Sequence, residues 1–125
     1  MNKIIHTDLA PAAIGPYSQA VQTGNLLFVS GQLPIDPATG AFAGEDIASQ
    51  TRQSLSNVKA ILAEAGVSMD QVIKTTVFLK DMNDFAAMNE VYAEFFPANC
   101  PARAAFAVKD LPKGAKVEIE AVAGK

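Results

Sequence analysis

"CPARAAFAVKDLPKGAKVEIEA", residues 100–121, decides the fold, because it predicts two β-strands joined by a turn. We expect these strands, 102–108 and 116–123, to pair as a hairpin across "KDLPKG". The first strand carries Arg103 among alanines, and the second places Glu120 between apolar residues. Charged groups in strands that otherwise resemble core need either a partner or a function.

Upstream of this stretch, apolar residues that recur every three or four positions predict two amphipathic helices. The first spans 46–65 and is followed by Gly66, a typical helix stop. The second spans about 83–96 and ends at Pro97. We expect both apolar stripes to pack into the core rather than to hold a cofactor.

Three further segments predict strands. "KIIHT" (3–7) is a first strand, "YSQAVQTGNLLFVSGQ" (17–32) is a hairpin with a Gly-Asn turn, and "VIKTTVFLK" (72–80) lies between the helices. This order of elements predicts an α+β fold: a single mixed β-sheet with two helices on one face. The length favours one domain, 1–125.

The composition favours a globular chain and argues against membrane or nucleic-acid binding. Half of the residues are hydrophobic (50%), 18% are charged, and the net charge is −3. No apolar run approaches the ~20 residues of a membrane span, and no signal-peptide core is present, so we expect a cytoplasmic protein. An acidic chain is a poor partner for nucleic acid, and the lysines at 109, 113 and 116 are expected to form a solvated tip.

A single cysteine and a single histidine limit the kinds of site that the chain can build. An intrachain disulfide is excluded, and a zinc site of the usual Cys/His type lacks enough ligands. Cys100 is expected to be a small, partly buried residue. His6 has no acid placed beside it by spacing for a Ser-His-Asp arrangement. Because glycine-rich phosphate loops are also absent, we expect no metal and no cofactor.

Most of the predicted strands are apolar on both faces. In "LLFVSGQ", for example, Leu27, Val29 and Gly31 share one face and Phe28 lies on the other. Two helices cover only one face of a sheet, so we expect another copy of the chain to cover the second face in an obligate homo-oligomer. The alternative is that long loops fold over the open face.

Arg103 and Glu120 are the candidate functional pair. They form either a buried ion pair that fixes the register, or a ligand site in which the planar guanidinium binds a carboxylate. The small neighbours of Arg103 leave room for a ligand. Glu118 lies nearer the turn, and we expect it to be solvated and outside the site. The residues expected to line the same cleft are Tyr17, Ser30 and Gly31.

Five motifs occur in order: "GPYSQA" (15–20), "SGQ" (30–32), "VFLKDMNDFAAMNEVY" (77–92), "PAR" (101–103) and "LPKGAKVEIEAVA" (111–123). Together they make the chain similar, over essentially its whole length, to the RidA (YjgF-type) family of enamine and imine deaminases. The resemblance implies a chorismate-mutase-like (RidA-like) fold and a homotrimer with clefts between subunits.

The resemblance also implies a cofactor-free activity, the hydrolysis of 2-iminobutanoate, 2-iminopropanoate and related enamino acids to 2-keto acids and ammonia. Arg103 would hold the substrate carboxylate and Glu120 would position or activate water. The proton for an enamine carbon would come from Tyr17 or from solvent. Many bacterial members have a cysteine where this chain has Ala105. Residues implied to line or support the site are Tyr17, Ser30, Gly31, the backbone carbonyl of Ala105, and Asn89.

Two other functions remain open from the sequence. A non-catalytic trimer that binds small carboxylates, or that regulates a partner, would need Arg103 but not Glu120. RNA binding or cleavage has been proposed for members of the family, and the acidic balance and sparse lysines of this chain count against it.

Overall fold

The computed structural model describes residues 2–125. Its strands and helices alternate in an α+β arrangement. In chain order they are β1 (Lys3–Ile5), β2 (Ala20–Thr23), β3 (Leu26–Gln32), α1 (Ile47–Glu64), β4 (Val72–Leu79), α2 (Phe85–Phe95), β5 (Ala102–Ala107) and β6 (Val117–Gly124). Short 3-10 turns lie at Met69–Gln71, Met82–Asp84 and Pro112–Gly114.

All of these strands belong to one mixed sheet with the order β1-β2-β3-β6-β4-β5. Every pair is antiparallel except β4 and β5, which are parallel because α2 carries the chain back to the same end of the sheet. The predicted hairpin between 102–108 and 116–123 is therefore wrong. β6 inserts between β3 and β4 instead, and β5 lies at the edge of the sheet.

Both helices begin and end close to the predicted positions. The Asp46 carboxylate accepts a hydrogen bond of 3.0 Å from the backbone N–H of Ser49 and so caps α1. Gly66 follows this helix with a φ of +73°, a conformation that favours glycine. Before α2, Asp81 caps the turn Met82–Asp84 rather than the helix itself, so the helix starts at Phe85.

The helices cover one face of the sheet only. On β6, Val117, Ile119 and Ala121 are buried on the face that α1 packs against. On the opposite face Phe28 and Phe106 remain 47% and 45% exposed. The open face is therefore only partly apolar, because Thr76 and Glu120 also lie on it, and the loops of this chain do not fold over these two aromatic residues.

A β-bulge near the end of β3 changes the face on which its last residues lie. Val29 pairs with Ala121 and Gln32 with Ile119, so β3 has one more residue than β6 in this interval. Gln32 consequently is buried like Val29. The predicted alternation, which placed Gly31 with Leu27 and Val29, fails beyond Val29 for this reason.

Within residues 2–125 we find no helix whose length and apolar character would suit a membrane span.

Candidate functional site

A cleft of about 680 Å³ opens where the segment 11–19, the bulged end of β3 and the first half of β6 meet. Four of the predicted site residues line it together: Tyr17, Ser30, Gly31 and Glu120. The turn Pro112–Gly114 contributes Lys113, and apolar walls come from Pro11, Ile14, Leu33 and Ile35. The prediction that these four residues share a cleft is consistent with this geometry.

The segment that carries Tyr17 is fixed to the sheet by a buried glutamine. The Gln19 side-chain oxygen accepts from the Thr7 N–H at 2.7 Å, and its amide nitrogen donates to the carbonyls of Thr7 and Pro11 at 3.0 and 2.8 Å. The Ser30 hydroxyl donates to the Ser18 carbonyl at 2.6 Å. Ser30 therefore holds the wall of the cleft as well as lining it, while the Tyr17 side chain stays exposed.

Glu118 is a cleft residue that sequence reasoning missed. It was expected to be solvated and outside the site, but it lines the cleft with Glu120 and is half-buried. Its burial, and secondarily the negative charge of Glu120, raise the pKa of the Glu118 carboxyl above the ordinary value. The alternation along the strand, which places Glu118 and Glu120 on one face, could have identified it.

Gly31 makes room for the Glu118 carboxyl. A Cβ atom at position 31 would fall 2.3 Å from Oε2 of Glu118 and 3.0 Å from its Cδ. The carboxyl group thus lies against the backbone of the bulge, in space that any other residue would fill. A side chain at position 31 would displace the Glu118 carboxyl, so it is the absence of a Cβ atom, rather than an unusual φ, that leaves this space open.

Arg103 lies in a different part of the molecule, at the edge strand β5. Its Nη1 donates to Oδ1 of Asn89 on α2 at 2.7 Å. The guanidinium carbon lies 5.5 Å from the ring centre of Phe85 and 4.8 Å from that of Tyr92. The Tyr92 hydroxyl in turn lies 2.7 Å from Oγ1 of buried Thr75. Two aromatic rings and an amide therefore orient the guanidinium, as cation–π contacts and charged hydrogen bonds do elsewhere.

Arg103 and Glu120 do not form the ion pair that was considered from the sequence. Arg103 aligns with Thr75 of β4, and the Thr75 side chain is buried beneath the helices. Glu120 aligns with Thr76, the next residue of β4, whose side chain lies on the opposite face. Successive residues of a strand point to opposite faces, so the two charged side chains lie on different sides of the sheet.

Each chain consequently carries two half-sites. We call Arg103, Asn89, Phe85 and Tyr92 the arginine half-site, and Tyr17, Ser30, Gly31, Glu118 and Glu120 the carboxylate half-site. Ala105 lies two residues beyond Arg103 on β5 and is partly buried. Because β5 is an edge strand, part of its backbone hydrogen-bonding capacity has no partner strand within the chain.

Other reactive side chains stand apart from both half-sites. Cys100 is exposed, with its Sγ 3.4 Å from the Phe96 carbonyl oxygen, so the expectation of partial burial is wrong. Asn99, which precedes it, lies in a bend with a φ of +50°. His6 does have an acid beside it, contrary to the sequence-based expectation, since it pairs with Asp8 at 3.1 Å, but this contact is exposed. No group of three or more His, Cys, Asp or Glu side chains in residues 2–125 is arranged to hold a metal ion.

Comparison with known proteins decides the family. A family model described as Endoribonuclease L-PSP matches residues 7–125. A 2-iminobutanoate/2-iminopropanoate deaminase of Salmonella typhimurium is 54% identical over 126 residues, with 98% of each chain covered. The chain belongs to the RidA (YjgF-type) family.

Other RidA-family proteins are similar at comparable levels. A RutC family protein of Pyrococcus horikoshii is 59% identical and covers 100% of this chain and 99% of its own. Among solved structures, Escherichia coli TdcF with bound serine superposes with a TM-score of 0.95 at 51% identity, covering 98% of each chain. These similarities cover nearly the whole chain, including the sheet and both helices, so the fold described above is that of the family.

Proposed function

We propose that the chain is a cofactor-free enzyme that hydrolyses 2-imino and enamino acids, including 2-iminobutanoate and 2-iminopropanoate, to 2-keto acids and ammonia. The observation that carries this proposal is the 54% identity, over nearly the whole chain, to a protein named for that reaction. The reaction replaces the C=N bond of the substrate by C=O, with water as the only co-reactant.

The arginine half-site suits the carboxylate that all of these substrates share. Arg103 uses one nitrogen on Asn89, and its guanidinium contacts the rings of Phe85 and Tyr92. Its remaining N–H donors are free for a bidentate contact with a carboxylate, which fixes the position of the neighbouring C=N carbon. The carbonyl of Ala105, on the same edge strand, is the proposed acceptor for the imine nitrogen.

The carboxylate half-site suits the attack by water. Glu120 is exposed in the cleft, where its carboxylate can accept a proton from a water molecule. A positioned general base of this kind contributes on the order of 10²–10⁴-fold. The carbon of an iminium group is already electrophilic, so a base and an orienting cation are sufficient machinery. Tyr17, Ser30 and Gly31 shape the space in which the substrate and water meet.

The two half-sites can act on one substrate only if they come from different copies of the chain. Within a copy they lie on opposite faces of the sheet. We therefore propose a homotrimer in which the arginine half-site of one copy faces the carboxylate half-site of the next. Exposed apolar residues on the open face, including Phe28 and Phe106, supply surface that such an association would bury.

The proposed reaction is tested by generating 2-iminobutanoate in situ with a threonine dehydratase. The wild-type protein should accelerate 2-ketobutanoate formation, and Glu120→Gln should lose about 10²-fold of that acceleration. Glu64→Gln, at an exposed position on α1, is the matched control and should behave as wild type. A wild-type protein without effect on ketoacid formation, or a Glu120→Gln variant equal to wild type, would refute the proposal.

A binding module is the second candidate, and the bound serine in the TdcF structure is the observation that favours it. On that hypothesis small amino acids or carboxylates bind without turnover. Calorimetry would then show binding that Arg103→Ala abolishes and Glu120→Gln leaves intact, together with no ketoacid formation.

RNA cleavage, suggested by the description of the family model, predicts salt-dependent association with RNA. We expect no salt-dependent association of this chain with RNA. We also propose that the enzyme acts in the cytoplasm.

A further inference from the structure

The buried face of α1 carries two amide side chains that hold backbone outside the helix, and neither belongs to a half-site. Asn57 and Gln50 are 1% and 3% exposed and lie about two turns apart. Gln50 accepts from the Lys116 N–H at 2.8 Å and donates to the Gly44 carbonyl at 3.0 Å. Buried polar groups need partners of this kind, so each amide fixes the segment that it binds.

Asn57 binds the segment that leaves β3. Its Nδ2 donates to the carbonyls of Leu33 and Ile35, at 3.1 and 2.9 Å. Its Oδ1 accepts from Nε2 of Gln53, one turn earlier on α1, at 2.8 Å. This third hydrogen bond fixes which end of the amide faces the two carbonyls. One side chain therefore sets the positions of residues 33 and 35 relative to the helix.

The same two residues form part of the apolar wall of the cleft. The side chains of Leu33 and Ile35 are partly buried and line the cleft with Pro11 and Ile14. Pro34, between them, is buried and does not line the cleft. The backbone bonds of Asn57 thus hold one side of this short segment, while the side chains at 33 and 35 are presented to the cleft.

The loop 33–44 is anchored by both amides, but only its first end reaches the cleft. Asn57 holds that end and Gln50 holds the far end. Between them the chain turns back on itself through a bridge between Ile35 and Phe42. Gly44 and Phe42 line a different cavity, of about 400 Å³. The two anchors are therefore alike in kind and burial, and they differ in whether they support the cleft.

The substrate side chain is the one part of an imino acid that has no partner among the roles proposed above. The carboxylate is assigned to Arg103 and the C=N carbon to the water beside Glu120. The cleft, at about 680 Å³, is larger than a three-carbon imino acid needs, and the wall left for the side chain is apolar. Each CH₂ group that a substrate buries against such a wall favours binding.

On the basis of the function proposed above, we propose that Asn57 is a positioning residue for substrate specificity. By holding Leu33 and Ile35 it forms a subsite for apolar side chains larger than a methyl group. The enzyme then discriminates among 2-imino acids by the apolar surface that their side chains bury on this wall. The imine of leucine, whose side chain has three more carbons than that of alanine, is accordingly a better substrate than the imine of alanine.

The test compares these two imines, released in situ from D-leucine and D-alanine by a D-amino-acid oxidase in the presence of catalase. In wild type, kcat/KM should be about tenfold or more higher for the leucine-derived imine. Asn57→Leu is similar in shape but donates no hydrogen bond, and it should reduce this ratio about tenfold. The change should appear as a higher KM for the leucine-derived imine, whereas kcat for the alanine-derived imine should stay within about twofold of wild type.

Gln50→Leu is the matched control, because it removes an equally buried amide of α1 whose partners lie outside the cleft. It should lower the Tm about as much as Asn57→Leu does and leave the ratio unchanged. Asn57→Ala removes the same donor with a smaller side chain, and Ile35→Ala shortens the wall itself. Both should reduce the ratio, so the inference is tested even if one variant fails to fold.

Three results would overturn the role of Asn57. They are a wild-type enzyme without preference between the imines, an unchanged ratio in any of the Asn57 and Ile35 variants, and an equal loss of the ratio in Gln50→Leu. A wild-type protein that accelerates the hydrolysis of neither imine would instead refute the proposed function, and this inference with it.

Discussion

Arg103 shows how neighbouring side chains prepare a single residue for a ligand. A free arginine side chain loses considerable rotamer entropy when it binds an anion. Here Asn89 holds one nitrogen at 2.7 Å, and the guanidinium carbon lies 5.5 and 4.8 Å from the centres of two aromatic rings. Much of that entropy has therefore been lost on folding, before any carboxylate arrives.

Asn89→Ala should accordingly weaken substrate binding more than it slows the reaction. Loss of a hydrogen bond to a charged group costs about 1.5–3 kcal/mol, so we expect KM for the imine to rise about tenfold or more. The kcat value should change less, because Glu120 is untouched. Steady-state kinetics would check this, with Glu90→Ala on the exposed side of α2 as control. An unchanged KM would show that Asn89 does not position Arg103.

Glu118→Gln should change how stability depends on pH. The pKa of Glu118 is raised in the folded protein, so folding favours its protonated form. This contribution is present below the pKa of an unfolded glutamic acid and is lost as the pH rises through the folded value. Since glutamine stays neutral, the Tm of the variant relative to wild type should increase from pH 4 to pH 8. Glu64→Gln is the control, and a difference that is constant with pH would contradict the assignment.

At the level of the elements, the periodicity of the sequence predicted most of the secondary structure. Both helices and the strands Ala20–Thr23, Leu26–Gln32 and Val72–Leu79 lie where it placed them. The final hairpin was wrong because turn propensity describes only the chain between two strands. It carries no information about a third strand, and β6 pairs with β3 and β4 on its two sides rather than with β5.

The bulge near Gly31 marks a second limit of sequence reasoning. Strict alternation assigns faces correctly along β6 but fails on β3 once an extra residue enters the pairing. The same bulge brings the Gly31 backbone onto Glu118. Tyr17, Ser30, Gly31 and Glu120 could be grouped from their motifs. Alternation also placed Glu118 on the face of Glu120, but its nearness to the turn suggested a solvated side chain, whereas the structure places it in the cleft.

The segment before β2 depends on Gln19, which leads to a prediction about stability. Gln19→Leu would leave the buried N–H of Thr7 and the partly buried carbonyl of Pro11 without their partners. A buried group without its partner costs about 1–3 kcal/mol and a partly buried one about 1 kcal/mol, so we expect the free energy of unfolding to fall by about 2–4 kcal/mol. Urea denaturation would measure it. Gln22→Leu, whose amide makes an exposed contact of 3.3 Å, should change stability by only about 0.5 kcal/mol. Equal effects would contradict the anchoring role of Gln19.

For the whole molecule, the proposed homotrimer would account for both the open face of the sheet and the separation of the half-sites. The helices cover only one face of the sheet. Phe28 and Phe106 on the other face therefore remain exposed. Association of copies would bury these residues and bring Arg103 of one copy to Glu120 of another. The side of the sheet on which Arg103 lies follows from the register of β5 with β4, which local sequence does not encode.

Complementation between two inactive variants tests this central claim most directly. Arg103→Ala lacks the guanidinium proposed to bind the substrate carboxylate, and Glu120→Gln lacks the proposed general base. Each variant alone should therefore be nearly inactive in the deaminase assay. When the two are unfolded together and refolded at equal concentrations, about a quarter of the sites should join an intact Arg103 to an intact Glu120 from different copies. The account predicts recovery of about a quarter of wild-type activity. No recovery, in mixed oligomers whose formation is verified by mass spectrometry, would contradict it.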